Sequence, residues 1–128
     1  LEAQDEFGYR AIHEVSYLGY EQLVTTLILQ GANLDARDCD GRTALSWAVQ
    51  QGHIGVVKCL IQGDANVDEA DINGFTPLHV ALITKNFGIA KFLIDHGADT
   101  SRKAYDTEDV LKCADMTKKE FIAMFGKL

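Results

Sequence analysis

The sequence predicts an all-α solenoid in which short helix-turn-helix units stack side by side, with β-hairpin-like tips along one edge. Three observations carry this prediction. First, Asp71-Ile72-Asn73-Gly74-Phe75-Thr76-Pro77-Leu78-His79 passes directly from a tight turn into a helix. Gly74 suits a turn that needs positive φ, Thr76 offers a capping hydroxyl, and Pro77 fits the first helical position, where a missing N–H costs little. Second, the plan recurs 33 residues earlier as Asp38-Cys39-Asp40-Gly41-Arg42-Thr43-Ala44-Leu45-Ser46-Trp47-Ala48, and 33 before that as Asp5-Glu6-Phe7-Gly8-Tyr9-Arg10-Ala11-Ile12-His13. A period of this length held three times is the signature of a repeat array. Third, Leu78, Ala81 and Leu82 stand at i, i+3 and i+4, so one helix face is apolar and Ala81 lets a neighbouring helix come close.

These residues resemble the ankyrin repeat, whose pattern runs Asp, two variable residues, Gly, one variable residue, Thr-Pro-Leu-His, and later Gly-Ala-Asp. The resemblance is clear to Asp99 and weaker beyond it. It implies a single domain over 1–128 with repeats at 5–37, 38–70 and 71–103 and a degenerate capping repeat at 104–128.

In the first repeat the periodicity predicts an inner helix of about Ala11 to Tyr17 and an outer helix of about Tyr20 to Leu29, with Leu23, Val24, Leu27 and Ile28 as its apolar stripe. Gly31 then serves as a left-handed cap. This copy departs from the family at Arg10, Ala11, Glu14 and Val15. Glu14 is costly if buried unpaired, which places the repeat at an exposed end. Leu1-Glu2-Ala3-Gln4-Asp5 instead aligns with the later linkers Leu34 to Asp38 and Val67 to Asp71, so the chain starts in mid-period, as expected of a piece of a longer protein with a repeat before it. The two expectations conflict.

The second repeat is expected to have helices near Ala44 to Gln50 and Ile54 to Gln62, with Val56, Val57, Leu60 and Ile61 as the stripe. Ser46 stands where the family has His. Gly63-Asp64 inverts the usual order and puts Asp where a left-handed Gly is wanted. The third repeat is closest to the family: Ile89, Ala90, Leu93 and Ile94 line its outer helix, and Lys85 replaces the Gly that joins the helices, which strains that turn. Beyond Asp99, Ala104-Tyr105-Asp106-Thr107 carries no turn Gly. Leu111, Ala114, Ile122 and Ala123 still stand 33 after Leu78, Ala81, Ile89 and Ala90. Thr117 with Glu120 forms a capping box and Met116 with Phe121 a hydrophobic staple. Two short helices ending near Gly126 are expected, and Lys112, Lys118 and Lys119 give the polar outer surface that a terminal cap needs.

Composition narrows the function. The 128 residues are 47% apolar, ordinary for a globular protein. No apolar run reaches membrane-spanning length, and the amino terminus lacks a secretion-signal layout. The net charge is −7, and the segment to Asp99 holds 14 acidic and 6 basic residues. Such a surface repels phosphate backbones and argues against nucleic-acid binding. Cys39, Cys59 and Cys113 are odd in number and lack a Cys-x-x-Cys pair, which fits free thiols in a reducing compartment, the cytoplasm or nucleus. Cys59 is expected in the core, while Cys39, near a tip, is the thiol open to reaction.

No catalytic constellation appears. His13 and His79 occupy one slot in separate copies, where the resemblance implies local hydrogen bonds that brace neighbouring loops. His13-Glu14 lacks the second His, four residues on, that a zinc protease helix requires. Neither His53 nor His96 shows an obvious partner. Phosphate loops, nucleophile elbows and kinase signatures are absent. The acids Asp38, Asp40, Glu69 and Asp71 read as solvated turn formers. The segment is therefore expected to be non-catalytic, without cofactor or metal.

In a stack, positions that vary between copies are those released from packing. The resemblance places them on the tips and the exposed side of the inner helices, which form a concave surface for a partner protein's loop, helix or extended segment. The candidates are Phe7, Tyr9, Asp40, Arg42, Ile72, Asn73 and Phe75 at the tips, and Tyr17, Gln50, Gln51 and Thr84 at the inner-helix ends. Aromatics and Arg are common interface anchors, although some tip side chains can instead cover a neighbouring tip. Trp47 is expected inside, between repeats. The leading expectation is a monomeric protein-interaction module; the alternative is a regulatory or targeting segment of a larger enzyme, channel or pathogen effector.

Overall fold

The computed structural model describes residues 10–104 and 109–126. Among these residues the chain forms α1 (Ala11–Leu18), α2 (Glu21–Leu29), α3 (Ala44–Gln50), α4 (Ile54–Gln62), α5 (Pro77–Ile83), α6 (Phe87–Asp95), α7 (Val110–Ala114) and α8 (Lys118–Phe125), and no strand. The expected hairpin-like tips are hydrogen-bonded turns. The Asp38 N–H donates to the Arg42 carbonyl at 3.0 Å and the Asp71 N–H to the Phe75 carbonyl at 3.0 Å, and the Ile72 N–H ties its tip to the Asp40 carbonyl at 3.1 Å.

The helices start where the sequence supplies caps. Thr43 Oγ1 accepts the Ser46 N–H, Thr76 Oγ1 the His79 N–H, Asp109 Oδ1 the Lys112 N–H and Thr117 Oγ1 the Glu120 N–H. Each satisfies a donor that the helix leaves unpaired. The Glu120 carboxylate reaches back to the Thr117 N–H at 2.8 Å, completing the expected capping box. Asn86 caps α6 through the Ile89 N–H at 3.2 Å, a cap the periodicity did not single out.

The inner helices form a continuous row in which α1 packs on α3, α3 on α5 and α5 on α7, while α2 packs on α4 behind them. The core repeats with the sequence: Leu45 and Leu78, Ala48 and Ala81, Val57 and Ala90, and Leu60 and Leu93 are all buried. Burial of a side chain such as Leu60 contributes about 1.5–3 kcal/mol. The first stripe is only half realised: Val24 is fully buried and Leu27 and Ile28 half-buried, but Leu23 is 51% exposed. Its counterparts Val56 and Ile89 are buried, and no described helix precedes α1.

Left-handed backbone recurs at the tip glycines Gly41 and Gly74, with φ of 74° and 84°, and at two further slots of the period. Gly19, Gly52 and Lys85 occupy the turn between paired helices, with φ of 79°, 76° and 61°; Gly31, Asp64 and Gly97 follow the outer helices, with φ of 84°, 70° and 94°. Lys85 and Asp64 therefore adopt the conformation that the sequence assigned to them, at a cost a glycine avoids.

The terminal pair corrects the expected phase. α8 starts two residues earlier than α6 plus the period, so Ile122 is 41% exposed and Ala123 also faces solvent. Phe121 and Phe125 fill the core instead, with ring centroids 4.6 Å apart, and Phe125 meets Phe87 of the preceding pair at 6.2 Å. The turn residue Asp115, at φ 54°, shortens α7 and causes the shift.

A candidate protein-binding groove on the inner helices

The tips are held rigidly before they present anything. Asp38 Oδ1 accepts the N–H groups of Asp40 and Arg42 at 2.9 and 3.0 Å, and Asp71 Oδ1 those of Asn73 and Phe75 at 2.9 and 3.0 Å. These carboxylates are thus anchors of the turn, more than the solvated turn formers expected. Glu69 likewise pairs with Arg37 at 3.6 Å. Gly41 is required by space as well as by φ: a Cβ there would stand 2.7 Å from Arg37 Nη2 and 2.9 Å from the Ile72 N.

The histidines brace the stack. Nδ1 of the buried His13 accepts the Arg10 N–H at 2.8 Å, which leaves Nε2 to donate to the Ala36 carbonyl at 2.8 Å. His79 repeats the arrangement, with Nδ1 3.1 Å from the Thr76 N and Nε2 3.0 Å from the Arg102 carbonyl. Ser46 is too short for this reach. At that level the Arg37 guanidinium bridges the Gly41 and Ala70 carbonyls at 3.1 and 2.7 Å. The two remaining histidines do have partners, contrary to expectation: His53 Nε2 donates to the Tyr17 carbonyl at 3.0 Å, and His96 Nδ1 to the Phe92 carbonyl at 2.8 Å.

On this frame a groove of about 190 Å³ opens across α3 and α5, lined by Arg42, Ser46, Gln50, Asp71, Phe75, Val80, Ile83 and Thr84. Four of the candidate residues, Arg42, Gln50, Phe75 and Thr84, converge there. Tyr17 joins through a neighbour, its ring meeting Trp47 edge-on at 5.5 Å. Asp40, Gln51 and Asn73 are exposed but outside the groove lining. Ile72 is 66% exposed and lies outside the groove lining, with Cγ2 3.1 Å from where a Cβ on Gly41 would stand. Phe7 and Tyr9 lie outside the described residues.

Trp47 corrects the sequence reading. It is half-buried rather than internal, with the Arg42 guanidinium 4.7 Å above its ring and its indole N–H donating to Asp38 Oδ2 at 3.0 Å. A signal for this was present: Glu14, Trp47 and Val80 occupy one slot of the period and share no chemistry, the mark of a position released from packing. Val80 is a further groove residue that the candidate set lacked, while Ile83 is one of the variable inner-helix ends and lines the groove beside Thr84.

A larger hollow of about 790 Å³ runs beside Tyr20, Glu21, Gln22, Leu23 and Thr25. Its described lining belongs to one helix start, whereas the groove draws on two inner helices and two tips. Cys39 is exposed, Cys113 is buried, and Cys59 is half-buried with Sγ 3.7 Å from Thr25 Oγ1. Among the described residues no group of three His, Cys, Asp or Glu side chains could hold a metal ion, and no helix is long and apolar enough to cross a membrane.

The architecture is that of a stacked helix-pair repeat protein, with its variable side chains gathered on the inner row. The chain belongs to the ankyrin repeat family: the family described as "Ankyrin repeats (3 copies)" matches residues 12–104. Ankyrin repeats are in general protein-interaction modules. A relative from Oryza sativa subsp. japonica, the calmodulin-binding transcription activator CBT, is 46% identical over 46 residues, which are 36% of this chain and 5% of that protein.

Proposed function

We propose that this domain is a non-catalytic module of the cytoplasm or nucleus that binds a partner protein through the concave side of its inner helices and tips. One observation carries the reading: Tyr17, edge-on to Trp47, and Arg42 over the Trp47 ring form a cluster that runs into a groove walled by Phe75, Val80 and Ile83. Aromatic side chains and Arg left at the surface of a packed scaffold are typical anchors of protein interfaces. A monomeric state agrees with a groove of this kind, since a second copy is not needed to complete it.

Affinity capture with the purified domain, compared with the Tyr17→Ala, Arg42→Ala, Phe75→Ala triple variant, tests the reading. The captured partner should be lost with the variant while helical circular dichroism is kept. Equal capture by a folded triple variant would refute it. The relative from rice favours a second reading, in which the repeats target or regulate a longer chain, because its matched stretch is a small part of a long protein. The parent reading frame decides between a stand-alone adaptor and such a segment.

A further inference from the structure

The groove has a chemical polarity that narrows its occupant, and the inference rests on the groove reading above. Its one cation, Arg42, is held over the Trp47 ring at 4.7 Å and has no carboxylate partner among the described residues. Of the nearby acids, two anchor their tips. Asp38 binds two backbone N–H groups and the Trp47 indole, and Asp71 binds two backbone N–H groups. Stacking fixes the guanidinium plane at little further entropic cost and leaves its edge donors free to grip a carboxylate in two-pronged fashion. On the α5 side, Phe75, Val80 and Ile83 offer an apolar wall. Gln50, the last residue of α3, also lines the groove, and its amide carries both donors and an acceptor and so suits the unpaired backbone of an extended chain.

Adjacent helices pack about 8–10 Å apart, and an extended chain in the polyproline-II conformation advances about 3.1 Å per residue and returns its side chains to the same face every third residue. Moving from the α3 level to the α5 level thus takes about three residues. We propose that the groove binds an extended peptide segment of a partner protein in which Asp or Glu, set against Arg42, precedes by three residues a large apolar side chain seated on Phe75, Val80 and Ile83. The net charge of −7 repels such a segment at long range, so recognition depends on the short-range contact at Arg42 rather than on steering.

Selection of random dodecapeptides displayed on phage against the purified domain, followed by fluorescence anisotropy with synthetic peptides, tests this. Acid-x-x-apolar sequences should be enriched, and replacing the acid by its amide should weaken binding about tenfold or more. Arg42→Ala should cause a similar loss and make the acid-to-amide change silent, as expected of two groups in contact. Ile83→Ala, at an exposed position, should weaken acid and amide peptides alike. Selected peptides that bind through Ile83 but lack an acid, or ignore Arg42→Ala, would overturn the charge assignment and leave the groove reading standing. Selected peptides indifferent to both substitutions, or no enrichment at all, would overturn both.

Discussion

The first and third helix pairs are written on the same 33-residue plan and turn out differently. α5 begins with Thr76, whose hydroxyl accepts the His79 N–H, and with Pro77 at its first position. α1 begins with Arg10, whose guanidinium has donors only. The third outer helix buries Ile89, Ala90, Leu93 and Ile94, whereas the first buries Val24 and leaves Leu23 at the surface. Ser16 adds a second defect: its Oγ is buried without a hydrogen-bond partner among the described residues, in the slot where Val49 and Leu82 are apolar. Stability in a stack is a sum of unit and interface terms. The comparison therefore teaches that, among the described residues, the third pair is the better-built unit and the first the weaker one.

The largest expected effect tests that gradient. Leu60→Ala should lower stability by about 2–5 kcal/mol, and Leu27→Ala, the half-buried equivalent, by clearly less. Urea denaturation checks it, and equal losses would erase the gradient. Next, Arg10→Thr should restore the missing cap and stabilise by about 1 kcal/mol, read as a higher urea midpoint together with slower amide exchange in α1. Asp64→Gly, at φ 70°, should raise the midpoint by roughly 0.5 kcal/mol; a lower midpoint would contradict the left-handed geometry.

The smallest effect lies at the other end of the array. The Thr117 backbone N–H and hydroxyl hold the exposed Glu120 carboxyl below the usual glutamate range. A carboxyl lowered in the folded state stabilises fully above its unfolded pKa, and that contribution is lost as the pH falls through the folded value. The protection factors of the α8 amides, corrected for the intrinsic pH dependence of exchange, should therefore fall in acid before those of α5 do, and Glu120→Gln should remove that pH dependence from α8.

Much of the fold was legible because turn chemistry and apolar spacing agree in the middle copies. Gly41 and Gly74, Thr43 and Thr76, and the stripes from Val56 to Ile94 lie where the period puts them. The phase failed at Ile122 and Ala123 because Asp115 ends α7 early, a shift of two residues that a fixed period hides. Of the candidate site, the groove gathers Arg42, Gln50, Phe75 and Thr84, while Ile72 lies outside its lining. Trp47 was misplaced because the family fills its slot with a buried Leu. Its indole N–H and the guanidinium above it are satisfied only at the surface, by Asp38 and Arg42 from the preceding tip.

The central claim is that periodic side chains build the stack and irregular ones on the inner row meet the partner. Amide hydrogen exchange of the domain with and without its selected peptide tests it most directly. Slower exchange confined to residues 38–51 and 71–85, with α4 and α6 unchanged, is the predicted result. Protection concentrated on the outer helices α4 and α6 would contradict it.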